Sequence, residues 1–167
     1  MPQGWALARL DMVVNILDYL RQPINAVERV ERIKGKSSSE LYPYYGATGQ
    51  VGFIDDYIFD GKYILLGEDG APFLEPNINK AYIIIGKTWV NNHAHILDSL
   101  INTEYLCHVL NATNFHEYVS GTTRLKLTQI EMNRIIIPIP PLDEQHRIVD
   151  IVKQSIELLD IITVNLN

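Results

Sequence analysis

The sequence has few of the features that distinguish membrane, secreted or disulfide-bonded proteins from ordinary globular ones. It has a single cysteine, Cys107, which excludes an internal disulfide and a cysteine-based zinc site. No apolar run is long enough to span a bilayer, and the first residues lack the basic-then-apolar pattern of a signal peptide. The motifs G-x-S-x-G, G-x-x-x-x-G-K-[ST] and G-x-G-x-x-G are also missing. We therefore expect a soluble cytoplasmic protein, with no membrane partner.

Basic residues are outnumbered as well. The 14 Lys and Arg residues stand against 20 Asp and Glu, for a net charge of -6, which argues mildly against nucleic acid as a partner. The acid is concentrated, however. Residues 55–76 hold 6 acids and 1 base, and residues 137–167 hold 5 acids and 2 bases. The other segments are neutral or slightly basic, and they are free to face phosphates.

The 167 residues, 47% of them hydrophobic, are enough for one domain with a full core. A glycine-punctuated stretch from Leu41 to Gly70 organises this domain. Its Asp-Gly pairs at 60–61 and 69–70 predict tight turns, and Asn25 and Asn102 predict helix N-caps. The expected class is α/β (α+β), a curled mixed β-sheet with short helices. Strands are predicted at Gln50–Ile54, Tyr57–Phe59, Tyr63–Leu66 and Ala81–Gly86.

The end of the chain has a different character. No Gly or Pro follows Asp143, the predicted N-cap, and apolar residues recur at the spacing of a coiled-coil seam. A helix of ~24 residues would be ~36 Å long and too apolar to stand alone. We expect it to pack on a partner helix, in this chain or another; packing back on its own domain is the alternative. The predicted dimerisation seam is Ile148, Val152, Leu159, Ile162 and Leu166, with Ser155 as a polar position.

Three polar loops carry side chains suited to a flat, polar ligand such as nucleic acid. Asn amides pair with an adenine edge, and Lys, Arg or His reach guanine or phosphate. The alternative for each is a structural role in a sheet corner or a solvated loop. The candidate DNA-binding residues are Tyr44, Tyr45, Thr48 and Gln50 in the first loop, Lys87, Asn91, Asn92 and His93 in the second, Thr122, Thr123 and Arg124 in the third, and Lys34 and Lys36 as phosphate contacts.

Two kinds of site chemistry compete with that interpretation. His93 and His95 would share a face if they lay on one strand, but no third metal ligand has a suitable spacing. The acid pairs at 55–56 and 68–69 are able to hold a metal or to act as acid and base. Both pairs lie near turn glycines, where acids commonly form turns. We predict no metal site and no catalytic residues.

Four segments, in this order, resemble the DNA specificity (S) subunits of type I restriction-modification systems. They are YPYYGATGQVGFIDDYIFDGKYILLGEDG at 42–70, GKTWVNNHAHIL at 86–97, YVSGTTRLKL at 118–127 and IPIPPLDEQHRIV at 137–149. The last segment, Pro-Pro-Leu and then Glu-Gln-x-x-Ile, is the usual join between recognition domain and conserved helix in that family. The resemblance implies a DNA target recognition domain at 1–141 and a conserved spacer or dimerisation helix at 142–167.

The resemblance also implies partners. Such a module reads one half-site of double-stranded DNA and docks a modification methyltransferase subunit. Catalysis then belongs to that subunit and to the restriction subunit, which carry S-adenosylmethionine, ATP and Mg²⁺; this chain holds no cofactor and is not an enzyme. Because full-length members have two domains and two helices, we expect a homodimer through the C-terminal helix or half of a longer subunit. The alternatives are a coiled-coil scaffold or ligand-binding domain, and, below these, a metal-dependent nuclease.

Overall fold

A computed structural model describes residues 2–165. The chain forms a mixed α/β domain followed by one long helix, as the sequence predicts. The strands are β1 (Ala6–Arg9), β2 (Val14–Ile16), β3 (Tyr42–Gly46), β4 (Gly49–Ile54), β5 (Phe59–Gly67), β6 (Ala81–Val90), β7 (Ala94–Ser99), β8 (Val119–Ser120), β9 (Lys126–Leu127) and β10 (Ile136–Ile139), and the helices are α1 (Ala26–Ile33), α2 (Thr103–Ala112), α3 (Gln129–Asn133) and α4 (Leu142–Asn165).

The centre of the domain is a curled six-stranded sheet in the order β2-β7-β5-β6-β3-β4. Its β3–β6 pair is parallel and its other pairs are antiparallel. Gly61 and Gly86 face each other across β5 and β6, and Gly86 has a φ of 79°, a conformation that favours glycine. The curl brings the Tyr82 hydroxyl, near the start of β6, to the Gly46 carbonyl at the end of β3, to which it donates a hydrogen bond.

The turn predicted at Asp60-Gly61 is wrong. Gly61 lies inside β5, where it pairs with Gly86. The continuous strand from Phe59 to Gly67 includes the predicted strand Tyr63–Leu66 but only Phe59 of the predicted strand Tyr57–Phe59. The turn predicted at Asp69-Gly70 is confirmed, since Gly70 has a φ of 66°. An Asp-Gly pair is therefore a turn only where no neighbouring strand takes up its backbone.

The main core lies between the sheet, α2 and the two-stranded ribbon of β1 and β10. Each fully buried Leu, Ile or Phe side chain contributes roughly 1.5–3 kcal/mol through removal of its surface from water. The short β8–β9 ribbon packs on the same core, which holds the loop between these two strands against the end of β5. The core includes Leu10, Ile64, Leu66, Leu97, Leu106, Leu110, Phe115, Leu127, Met132 and Ile137.

Both predicted helix caps are confirmed. The Asn25 side-chain oxygen accepts from the Glu28 N–H at the start of α1, at 2.9 Å. The Asn102 side-chain oxygen does the same for the Tyr105 N–H at the start of α2, at 2.9 Å. These bonds satisfy donors that the first helical turn leaves without a partner.

The first turns of α4 are anchored to the domain. Gln145 is only 4% exposed; its amide donates to the Pro140 carbonyl and its oxygen accepts from the Asn102 N–H, each at 3.0 Å. Val149 is buried beside it. The helix begins at Leu142, so Asp143 lies in the first turn and the prediction that it is the N-cap is wrong.

The second half of α4 extends away from the domain. Ile148 and Val152 of the predicted seam are half-buried, but Leu159 and Ile162 are 62% and 53% exposed. Leu166 lies outside the described residues. Packing on the domain thus accounts for the first half of the helix and leaves the second half uncovered. Within residues 2–165, no helix combines the length and apolar character needed to cross a bilayer.

Candidate nucleic-acid interface

The structure divides the candidate residues into two groups at opposite ends of the β3–β4 hairpin. The first group, here the loop cluster, consists of the turns 46–50, 91–93 and 121–125 around residues 68–70. The second group, here the basic end, consists of Lys34, Lys36 and Lys87 near Tyr42 and Asp55. The hairpin separates the two groups by about 13 Å, the length of a five-residue strand.

Backbone hydrogen bonds assemble the loop cluster. The Asn91 N–H donates to the Tyr45 carbonyl at 3.0 Å, which places the second loop beside the first. The Glu68 N–H donates to the His93 carbonyl at 2.8 Å, and the Glu68 carbonyl accepts from the Leu127 N–H at 2.7 Å. The Gly70 N–H donates to the Leu125 carbonyl at 3.0 Å, so the segment after β5 links the second loop to the third.

The Asp69 side chain makes the same link with its carboxylate. Its Oδ1 lies 2.6 Å from His93 Nδ1 and accepts from Arg124 Nη2 at 2.8 Å. His93 belongs to the second loop and Arg124 to the third. The sequence predicts Asp69 as a turn residue, with a metal or acid–base role as the alternative, and its position between two candidate side chains was missed.

Several predicted site residues are engaged within the protein. Tyr44 is buried beneath the Arg29 guanidinium, 5.0 Å from its ring centre, and burial raises the pKa of Tyr44. Tyr45 packs on the Tyr82 ring at 5.9 Å, and the Asn91 side-chain oxygen accepts from the His93 N–H at 2.8 Å. These three residues support the loops from below. The side chains presented to solvent are Thr48, Gln50, Asn92, Thr122, Thr123 and Arg124.

A buried ionic network lies beneath the loop cluster. His95 is 1% exposed; its Nδ1 is 2.5 Å from Asp18 Oδ2 and its Nε2 is 2.9 Å from the Leu127 carbonyl. Each ring nitrogen of His95 therefore faces an oxygen that accepts hydrogen bonds. Burial alone would raise the pKa of Asp18, but the hydrogen bond and charge of His95, the Ile96 N–H and Arg21 bring that pKa below its ordinary value.

This network has the composition of a metal site but is occupied by cations of the protein itself. Ligand atoms of Asp18, Glu68 and His95 lie within 4.8 Å of one another. However, Glu68 bonds the Arg21 guanidinium at 2.6 Å and the Lys126 ammonium at 3.2 Å, and both nitrogens of His95 are used. The group acts as an ion-paired support that ties β7 to β9, the strand that follows the third loop.

At the basic end, two of the three lysines keep an accessible charge. Lys34 is exposed and only loosely paired with Glu31, at 3.9 Å. The Lys87 ammonium lies 4.6 Å from the Tyr57 ring centre, and a hydrogen bond with Tyr57 raises the pKa of Lys87. Lys36, by contrast, contacts Asp55 at 2.6 Å, and this contact holds the pKa of Asp55 below its ordinary value.

Sequence reasoning also missed the inner face of α1. Arg29 and Arg32, three residues apart, lie over the rings of Tyr44 and Trp89, each at 5.0 Å. Arg32 contacts Asp55 at 2.6 Å as well. The signal was the spacing of the two arginines, since residues three apart share a helix face. These arginines hold α1 on the sheet and leave Lys34 and Lys36 at its outer end.

Comparisons with known proteins point to a single family. The family described as "Type I restriction modification DNA specificity domain" matches residues 14–167. A protein assigned as a type I restriction enzyme specificity subunit in Haemophilus influenzae is 37% identical over 144 residues, which are 85% of this chain and 35% of that protein. The specificity subunit of the Escherichia coli type I restriction enzyme EcoDI is 25% identical over 179 residues, covering 100% of this chain and 38% of that protein.

Solved structures give the same fold. The S subunit of a type I restriction-modification system from M. genitalium matches with a TM-score of 0.68 and 15% identity, over 96% of this chain and 41% of that chain. The HsdS subunit from Thermoanaerobacter tengcongensis matches with a TM-score of 0.66 and 16% identity, over 96% of this chain and 39% of that chain. The chain therefore spans about two-fifths of the length of these structures.

Proposed function

The chain belongs to the type I restriction-modification DNA specificity family, and we propose that its domain reads one half-site of double-stranded DNA for such a system. The observation that carries the proposal is the loop cluster. Three turns far apart in sequence meet around residues 68–70 and present amides, hydroxyls and the Arg124 guanidinium to solvent. Donors and acceptors on convex turns are what base edges in the major groove require.

The basic end supports this proposal. Lys34 and Lys87 are exposed cations at the opposite end of the β3–β4 hairpin from the loop cluster; the five-residue strand β3 spans about 13 Å, and the major groove is about 12 Å wide. Contacts at both ends of the hairpin would therefore place the loop cluster at base edges and the lysines at a flanking phosphate backbone. Phosphate contacts supply affinity and base contacts supply selectivity.

The proposed partners follow from the family. We infer that the chain docks a modification methyltransferase subunit and, with it, a restriction subunit, which carry S-adenosylmethionine, ATP and Mg²⁺. The chain acts as a recognition subunit in the cytoplasm and not as an enzyme. The exposed half of α4 then packs on a second helix, from another copy of the chain or from the other half of a longer subunit, and sets the distance between two half-sites.

The ion pairs argue against the nuclease alternative. Asp55 is bound by Lys36 and Arg32, Glu68 by Arg21 and Lys126, and Asp69 by Arg124. A catalytic metal would have to displace these cations from each acid pair. The scaffold alternative is compatible with α4 but gives no reason for three polar turns held in one place.

The test is selection and footprinting with the chain co-purified with its methyltransferase subunit. A random DNA pool should yield one enriched sequence, with affinity that falls as salt rises. The variants Arg124→Ala and Asn91→Ala should change the enriched sequence or weaken its selection. Arg134→Ala is the matched control, because Arg134 and Arg124 are 64% and 61% exposed and each contacts one acid.

Two results would overturn the proposal. Binding of the complex without any sequence preference would favour the scaffold. Cleavage of DNA by the chain alone, with Mg²⁺ and without partner subunits, would favour the nuclease.

A further inference from the structure

We propose that Asp69 and Arg124 form one reading unit for a G·C base pair, in which Arg124 donates to guanine while Asp69 holds the guanidinium and accepts from cytosine. This inference rests on the proposed function and deepens it. It assigns a base pair to the loop cluster and a positioning role to a carboxylate that the turn pattern alone would leave structural.

The guanidinium of Arg124 is held on two sides. Its Nη2 donates to Asp69 Oδ1 at 2.8 Å. Its other side lies against the backbone of Gly70, where an added Cβ would stand only 3.2 Å from Arg124 Nε. The φ of Gly70 is 66°, so this position favours glycine for its backbone as well as for its space. The arginine nevertheless stays 61% exposed, with its remaining edge toward solvent.

The Asp69 carboxylate is held in turn by the second loop. His93 Nδ1 lies 2.6 Å from the same Asp69 oxygen, and the His93 backbone is held in turn by the Asn91 side chain. The second loop thus fixes Asp69, and Asp69 fixes the arginine of the third loop. This arrangement gives the pair the preorganisation that specific recognition needs.

The exposed groups of the pair match one base pair. Arg124 Nη2 donates to Asp69 Oδ1 and also lies 3.4 Å from His93 Nδ1, so the two Nη1 protons are the donors that face the O6 and N7 acceptors of guanine. Asp69 Oδ2 adjoins them as an acceptor for the amino group of cytosine. An A·T pair would place the adenine amino donor against the arginine donors. The pair therefore discriminates by attraction to G·C and by a mismatch with A·T.

The carboxylate itself argues against a simple phosphate contact. Asp69 is an acid within the loop cluster, and it would repel a phosphate that approached Arg124. An arginine that only contacts phosphates binds better without such a neighbour. The Arg124 side chain is 61% exposed, so its ion pair with Asp69 contributes little to folding stability. Selectivity is the property that the arrangement improves.

The experiment is DNA selection and binding by the complex with the methyltransferase subunit. The wild type should require G·C at one position of the half-site. Arg124→Lys keeps the charge but loses the bidentate geometry, so discrimination at that position should fall roughly 5- to 150-fold while the salt dependence is retained. Asp69→Asn removes the charge with little change in shape and should reduce discrimination at the same position without weakening binding to other sequences.

Glu131→Gln is the matched control, since Glu131 contacts Arg134 at 2.7 Å in a pair of similar exposure elsewhere on the domain. It should leave every position unchanged. The proposal is overturned if Arg124→Lys keeps the full G·C preference, or if Arg124→Ala weakens all sequences equally and lowers the salt slope by about one. Either result would remove the reading unit of Asp69 and Arg124 but leave sequence-specific binding, and so the proposed function, in place. Absence of any selection by the wild-type complex would instead remove the proposed function itself.

Discussion

At the scale of single residues, the contact of greatest energetic consequence is the buried pair of Asp18 and His95. Asp18 accepts from the ring at 2.5 Å and from the Ile96 N–H at 2.9 Å. Asp18→Asn replaces the charged acceptor of both bonds, and each hydrogen bond to a charged group contributes about 1.5–3 kcal/mol. We expect Asp18→Asn to lower the free energy of unfolding by about 3 kcal/mol in urea titrations.

The control is Asp11→Asn. Asp11 also contacts an arginine, Arg9, at 2.6 Å, but that pair is on the surface, and its loss should change stability by less than about 1 kcal/mol. Equal effects of the two substitutions would show that the His95 network is not a buried ionic support.

Because the pKa of Asp18 is lowered, the stability that this network contributes depends on pH. Because its folded-state pKa lies below the ordinary value, the unfolded chain binds more protons in acid, and the Asp18 contribution is present in full above about pH 4. It is lost as the pH falls through the folded-state pKa. Urea midpoints measured from pH 7 to pH 3 should therefore fall more steeply for the wild type than for Asp18→Asn. Parallel curves would contradict this assignment.

At the scale of elements, the direction of α4 depends on one buried amide. Gln145 joins the Pro140 carbonyl before α4 to the Asn102 N–H at the start of α2. Gln145→Ala leaves both groups without their partner, at a cost of about 1–3 kcal/mol. Gln154→Ala, on the exposed part of the same helix, should stay within about 0.5 kcal/mol in the same denaturation experiment. An equal response of the two variants would mean that Gln145 does not anchor the helix.

The sequence predicts well those elements whose conformation depends on residues close by in the chain. Asn25 and Asn102 cap their helices because a cap bonds an N–H only three residues ahead. Gly61 was misjudged because its conformation depends on Gly86, 25 residues further along the chain, across the sheet. A turn signal carries no information about whether a distant strand will pair with it.

At the scale of the whole molecule, the candidate site also has some features that depend on local sequence and others that depend on contacts between distant residues. The polar character of the three loops is evident from their residue types. Their meeting place is not, since Asp69 contacts His93 and Arg124 across separations of 24 and 55 residues. The curl of the sheet creates this proximity. Tyr44 was predicted to contact DNA because the sequence does not show that α1 packs here and that Arg29 covers the ring.

The final consequence at this scale concerns assembly. The exposed half of α4 carries Ile156, Leu158, Leu159, Ile161, Ile162 and Val164, an apolar surface too large to remain uncovered on a single helix. We expect the chain to self-associate through it, and Leu159→Asp to shift sedimentation-equilibrium profiles toward the monomer without changing the stability of the domain.

Comparison of Leu159→Asp with Val152→Asp distinguishes an effect on assembly from an effect on folding. Val152 is half-buried, on the part of α4 nearer the domain, so its substitution should lower the free energy of unfolding of the domain in addition to weakening association. If Leu159→Asp had no effect on mass at any concentration, self-association would not use this surface. The covering helix would then have to carry a different sequence, as in a subunit whose two halves are not identical.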